Sequence, residues 1–271
     1  MNKNLTHLMG LPGFTAWFVG IPCAYILLKL SLMALSLCKG ETKRGMPLTD
    51  YIPYVVVGFV TCGYIGCAGV ILYFELFGVR DLYTVLAEDT VYGQSAFVEQ
   101  HVFVPMFAYQ FYNTVYSLLF KETRDVTMIV HHVAATAVAV VAMEPFLQHD
   151  AYFFFGFSEL TNIPLTWIDL TSKVKGSTLK DDHPIFHGMM IALFVILFLG
   201  IRVIVWPLKV IPVVYRLRVL MKHDPPLIHD YGVAWGFLIA TAALTSMQIA
   251  WGRKIVLMAK RTLFPGKTEK N

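Results

Sequence analysis

Long apolar runs, separated by short polar stretches, dominate the chain. Seven of them predict membrane-spanning helices: 14–38, 52–78, 98–119, 126–147, 151–171, 184–206 and 231–258. Each comes near or exceeds the ~18–20 residues that cross a bilayer as helix. The runs are continuous, whereas strands of a membrane β-barrel alternate over ~10 residues, so the expected fold class is an all-α polytopic membrane protein. The 148–150 connection is short enough to make the fourth and fifth spans a tight antiparallel hairpin. No stretch between spans is long enough to bury a core of its own, and no separate soluble domain is expected.

Composition agrees: 56% of the 271 residues are hydrophobic and 15% charged, with a mean hydropathy of +0.60. The net charge of +4 gathers at span ends, as anionic lipid surfaces favour, and points to no nucleic-acid partner. Cys23, Cys38, Cys62 and Cys67 form no CxxC or Cys/His ligand pattern and read as small membrane-core residues. The first span has a thin basic flank and no clear small-x-small cleavage site, so it reads as a retained anchor rather than a removed signal peptide.

Orientation follows from basic residues. The 39–51 loop holds Lys39, Lys43 and Arg44, and the 172–183 loop Lys173, Lys175 and Lys180; the tail is basic too. The 79–97 loop has only Arg80 against Asp81, Glu88 and Asp89. Positive-inside places the N-terminus, with its Asn4-Leu5-Thr6 sequon, in the lumen and the C-terminus in the cytosol. Residues 207–230 disagree: they should be lumenal yet carry Lys209, Arg216, Arg218 and Lys222. Pro207 and Pro212 are expected to break the helix there, leaving an interfacial or re-entrant segment.

Ionisable and polar groups recur inside the spans. The fourth contains the doublet His131-His132, and the fifth contains Ser158, Glu159, Asn162, Thr166 and Asp169. With a rise of 1.5 Å per residue, the histidines lie roughly 8 Å deep from the cytosolic side. Asn113, Asn162, Thr166, Asp169, His187 and Gln248 fall near that level, with Glu159 deeper. Glu159, Asn162, Thr166 and Asp169 share a helical stripe of roughly 80°. Tyr109, Asn113 and Tyr116 line up in the third span, and Thr241, Thr245 and Gln248 in the seventh. Such residues also serve as interhelical glue, the plainer reading for Asn113, Thr241, Gln248 and His187. For the doublet with Glu159 and Asp169, an intramembrane ionisable cluster is by default a functional site.

Adjacent helical residues diverge by about 100°, so His131 and His132 do not grip one ion as an i, i+4 pair would, and no metal is expected. A buried neutral imidazole suits a general base or an acyl-accepting nucleophile, with Asp169 or Glu159 fixing its tautomer. No GxSxG or P-loop motif is present.

The pattern Asp125-Val-Thr-Met-Ile-Val-His131-His132, followed by Ser158-Glu159-Leu-Thr-Asn162-Ile-Pro164, resembles the TLC domain. This membrane domain is shared by ceramide synthases, translocating-chain-associating proteins and the ceroid-lipofuscinosis cargo receptor. Arg202-Val-Ile-Val-Trp-Pro207 and Trp251-Gly-Arg-Lys254 are similar to it as well. The resemblance divides the chain into 1–51 (tail, first anchor and loop), a TLC-like domain over 52–262, and a basic tail over 263–271. It implies a barrel of spans two to seven around a lipid tunnel.

The resemblance also implies N-acyl transfer from acyl-CoA at the His pair. His131, His132, Glu159 and Asp169 are then the catalytic candidates, and Asn113, Ser158, Asn162, Thr166, His187 and Gln248 the substrate-binding ones. Where the synthases have His-Asp and a further Asp, this chain has Ser158-Glu159 and Asn162, closer to the TLC-domain-containing branch. The expected function is acyl transfer to a sphingoid base or phospholipid. The alternative is a non-enzymatic lipid-binding or lipid-sensing protein that regulates membrane composition or cargo export. No bound cofactor is expected, with acyl-CoA as co-substrate. Expected partners are membrane lipids, with homo-oligomerisation allowed, in the endoplasmic reticulum.

Overall fold

A computed structural model describes Gly10 and residues 13–79, 96–142, 150–223 and 231–263. The Asn4 sequon, the acidic 79–97 loop apart from its edges, the 148–150 connection apart from Asp150, and the tail from 264 lie outside the described residues. Nearly everything described is helical: α1 (Phe14–Ala34), α2 (Leu48–Val79), α3 (Val104–Leu119), α4 (Val126–Ala142), α5 (Asn162–Lys173), α6 (Pro184–Leu197), α7 (Trp206–His223) and α8 (Tyr231–Leu263). The chain forms two compact units, Met1–Phe194 and Val195–Asn271.

Among the described residues, four helical stretches are long and apolar enough to cross a membrane: Phe14–Ala34, Leu48–Phe74, Pro184–Val219 and Ala234–Met258. Val126–Ala142 is apolar but shorter. The expected spans at 98–119 and 151–171 are helical too, yet composite. A π-helical stretch, Glu99–Phe103, leads into α3, and π-helical Tyr152–Gly156 with 3₁₀ Phe157–Thr161 leads into α5.

The described part of the 207–230 segment, as far as His223, corrects the sequence reading. Pro207 does not end the sixth span: Pro184–Leu197, π-helical Phe198–Val205 and Trp206–His223 follow one another without a gap, and Pro212 lies inside α7. Proline removes an N–H and crowds the carbonyl four residues earlier. For Pro207 that carbonyl belongs to Val203, inside the π stretch, where the wider turn takes up the clash. A departure from α geometry also precedes two other prolines. His101, four before Pro105, lies in the first π stretch, and Leu160, four before Pro164, lies in the 3₁₀ stretch.

In the first unit, α1 packs along α2 and α3. Phe18 approaches Phe107 and Phe111 at ring-centroid distances of 6.1 and 5.3 Å, and Tyr25 meets Tyr116 edge-on at 5.7 Å. Asp50 anchors the α1–α2 contact: it forms an ion pair with Lys29 and accepts the Tyr25 hydroxyl at 2.8 Å. On the far side of α2, Gly69 and Gly156 let two backbones touch. A Cβ on Gly69 would sit 2.5 Å from Gly156 Cα and 2.7 Å from the Tyr152 carbonyl oxygen. Small residues at such crossings are how membrane helices gain close packing.

Three loops meet at one end of this unit. Thr42 pairs with Val174 in an antiparallel bridge, with Lys43 N–H donating to the Lys173 carbonyl at 2.8 Å and Lys175 N–H to Glu41 at 3.1 Å. Gly45, at φ +87°, closes the turn. Lys175 Nζ reaches Glu41 at 2.8 Å, and that hydrogen bond holds its ammonium above the ordinary lysine range. Arg44 donates to the Glu122 carbonyl at 3.2 Å. The 39–47, 120–125 and 172–175 connections therefore lie on one face, as the alternation of the first five expected spans requires. In the second unit α7 and α8 pack together, with Trp206 Nε1 donating to Thr245 Oγ1 at 3.0 Å.

Two outcomes follow from this packing. Gly69→Ala or Gly156→Ala should destabilise the protein by about 1–3 kcal/mol, because the added methyl meets backbone and cannot be relieved by a rotamer change. Thermal unfolding in detergent reads this directly; unchanged melting temperatures would refute the close crossing. Single cysteines at Lys43, Lys121 and Lys180, in a background lacking the native cysteines, should react with an impermeant maleimide from the same side of sealed vesicles. Labelling of any one from the opposite side overturns the loop arrangement.

Candidate functional site

The histidine doublet is placed by a helix cap. Asp125 Oδ1 accepts the backbone N–H groups of Thr127 and Met128 at 2.8 and 3.3 Å, which starts α4 at Val126. An aspartate at this position satisfies otherwise orphaned donors and complements the positive end of the helix dipole. His132 follows about 9 Å along the axis. Its side of α4 packs on α3, and His132 is buried whereas His131 is half-buried. The two rings meet edge-on at 5.4 Å. The two imidazoles therefore sit in different environments.

His132 is oriented by an amide. Its Nδ1 lies 2.6 Å from Gln110 Oε1, and Gln110 Nε2 donates to Met106 Sδ at 3.3 Å. A thioether only accepts, so the amide nitrogen faces Met106 and its oxygen faces the ring. In this arrangement Nδ1–H is the donor toward the Gln110 oxygen, and Nε2 is the ring nitrogen turned away from the amide. Sequence reasoning assigned the orienting role to Asp169 or Glu159 and missed Gln110. The available signal was an amide in an apolar span, one helical turn before Asn113.

Glu159 heads a second cluster. Its Oε2 accepts from Asn162 Nδ2 at 2.7 Å and from the Cys62 thiol at 3.3 Å, and Asn162 Nδ2 also lies 3.5 Å from Cys62 Sγ. Glu159 and Cys62 are buried. Cys62, read from sequence as a small packing residue, is thus a polar partner of a buried carboxylate. The Tyr109 hydroxyl lies beside Cys62 and Asn113. These contacts join α2, α3 and the 3₁₀–α5 stretch.

The remaining candidates are more dispersed. Ser158 and Thr166 return their hydroxyls to the carbonyls of Phe154 and Asn162, at 2.6 and 2.8 Å. Asp169 pairs with Lys173 at 2.6 Å, near the end of α5. His187 Nδ1 lies 3.5 Å from Thr171 Oγ1. Gln248 belongs to the second unit, fully buried, with its amide unpartnered among the described residues. Among the described residues, no three His, Cys, Asp or Glu side chains are grouped as metal ligands.

Comparison with known proteins gives one match. No curated protein and no solved structure matches the chain. The family profile described as the TLC domain matches residues 55–257. That interval begins in α2, after the Asp50 anchor, and spans the doublet, Gln110 and the Glu159 cluster. The match covers most of the 271 residues, and the chain belongs to the TLC-domain family of membrane proteins.

Proposed function

We propose that this protein is an integral-membrane acyltransferase that moves an acyl group from acyl-CoA to a lipid acceptor, a sphingoid base or a phospholipid. The observation that carries this reading is the His132–Gln110 pair, which holds a buried imidazole by Nδ1 and would leave Nε2 as the nitrogen that accepts a proton. Membership of the TLC family supports a lipid-related role. Spans two to seven, closing around a lipid tunnel in the endoplasmic reticulum membrane, would bring the acceptor to this nitrogen.

The chemistry balances on His132. As the acceptor N–H or O–H attacks the thioester carbonyl, its proton passes to Nε2. The carbon–sulfur bond breaks, and the imidazolium returns that proton to the departing CoA thiolate. Nδ1–H stays on Gln110 throughout, holding the ring in one orientation. Asp125, through the helix cap, sets the height of the base. His131 packs against the ring edge and positions it. A general base typically contributes 10²–10⁴-fold to the rate.

The test is purified full-length protein in detergent, supplied with labelled acyl-CoA and a panel of amine and alcohol lipid acceptors. His132→Ala should lower turnover by roughly 10²–10⁴-fold. Gln110→Leu should lower kcat by about 2- to 10-fold, the value of one neutral hydrogen bond, with little change in KM. Full turnover in His132→Ala would remove the imidazole from the mechanism. Absence of transfer to every acceptor, with lipid binding retained, would favour the non-enzymatic alternative.

A further inference from the structure

The cations at the far end of the sixth span have no place in the His132 chemistry. Lys209, Arg216, Arg218 and Lys222 all lie in α7. The described residues of the second unit, from Val195 onward, include no aspartate or glutamate. Asp224 and Asp230 belong to the connection outside the described residues, and over 207–230 the four cations outnumber them. A single crossing from the 172–183 loop carries this end to the opposite side of the bilayer, where lysine and arginine are disfavoured near span ends. Cations kept there against the topological bias call for an anion.

Leu208, Ile211, Tyr215, Arg218 and Lys222 recur at intervals of three and four along α7, so they form one stripe. Leu208, Ile211 and Tyr215 are 63–68% exposed, and Arg218 and Lys222 are exposed as well. Val213 and Leu217, on the other side of the helix, are buried. The stripe passes from apolar to aromatic to cationic over roughly 20 Å. A helix leaving hydrocarbon shows this order, with amphipathic rings at headgroup level and cations reaching beyond them. Length agrees: Pro184–Val219 has 36 residues, roughly 54 Å against ~40–45 Å for a bilayer with its headgroups. The Trp206–Thr245 hydrogen bond fixes the register of α7 against α8. Counted from it, Tyr215 and Trp235 stand within about one turn of the same height, and Trp235 is 56% exposed.

We infer that the outer face of this α7 end, Tyr215, Arg218 and Lys222 with Trp235 beside them, is a docking surface for the headgroup of an anionic phospholipid. The Arg218 guanidinium offers a planar fork that fits a phosphate, and Lys222, one turn further out, meets a second acceptor. A zwitterionic headgroup has the same phosphate, but its own ammonium opposes the second cation, so a net negative head is preferred. Tyr215 and Trp235 suit the acyl–headgroup boundary below the phosphate. The apolar run at Leu208 and Ile211 continues directly under the cations, which matches the layering of a lipid and not an acidic protein segment lying in water. The surface lies on the second unit and does not rest on the acyltransferase reading.

Native mass spectrometry of the full chain in detergent, titrated with dioleoyl phosphatidylglycerol or dioleoyl phosphatidylcholine, tests this without acyl-CoA. The first bound phosphatidylglycerol should be held about tenfold more tightly than phosphatidylcholine or better. Arg218→Gln/Lys222→Gln should weaken it by about fivefold per cation, roughly 25-fold in all, and leave phosphatidylcholine nearly unchanged. Arg218→Lys keeps the charge and should retain most of the preference. These positions are exposed, so melting temperatures should stay close to that of the parent protein. Lys43→Gln/Lys121→Gln removes two exposed cations from loops of the first unit and should keep the first phosphatidylglycerol. Equal affinity for the two lipids overturns the inference, as does an equal loss in the Lys43/Lys121 variant. Displacement of the bound lipid by excess inorganic phosphate would assign the cations to a free anion, and displacement by a hexaglutamate peptide to an acidic protein; either result overturns it too.

Discussion

In hydrocarbon a peptide group finds no water, so every backbone N–H and C=O must be satisfied within the chain. That constraint shapes this protein more than any side chain does. Prolines at 105, 164 and 207 each remove a donor, and a chain in water would commonly break there. Here the helix continues, and the turn before each proline widens to π or tightens to 3₁₀. The result is a set of composite helices whose faces turn partway along their length. Asn162 and Trp206 lie just after such a stretch and Gln110 about two turns beyond one, so their direction depends on the backbone's response to a proline. Interruptions of this kind inside helices are frequent at functional sites.

The polar groups inside the first unit obey a related rule. Glu159 is tolerated because Asn162 and Cys62 donate to it, and His132 because Gln110 accepts from it. In both cases the compensating partner sits on another turn or another helix, so neither cluster exists before the helices assemble. A buried group paired in this way costs little once the fold is formed and a great deal if one partner is removed. The two clusters share α3, whose consecutive residues Tyr109 and Gln110 look toward Cys62 and His132 respectively. A single helix thus carries partners of both the His132 imidazole and the Glu159–Cys62 cluster.

Much of this was legible in the chain. Helical membrane class, the positions of the longest apolar stretches, the histidine doublet and the TLC resemblance all follow from residues whose cost in lipid is high enough to be conspicuous. The side shared by the 39–51 and 172–183 loops followed from lysine and arginine counts, and the Thr42–Val174 bridge bears it out. What could not be read depended on register. Gln110 and His132 are 22 residues apart, and their meeting depends on a π stretch that no hydrophobic period encodes. Cys62 gave no signal because its partner is 97 residues away. The 207–230 segment was misread because the proline rule for helix breaking was applied without the compensating turn upstream.

The π stretch before α3 carries a consequence for how such a protein can change over generations. An α-turn holds 3.6 residues, and a π-turn accommodates about one more in the same advance. Loss of any one residue within Glu99–Phe103 would let the segment relax to α-helix and rotate everything after it by about 100°. Gln110 would then swing away from His132, with no residue of the site replaced. The number of residues in this turn is thus constrained independently of their side chains, so its history should record few insertions or deletions.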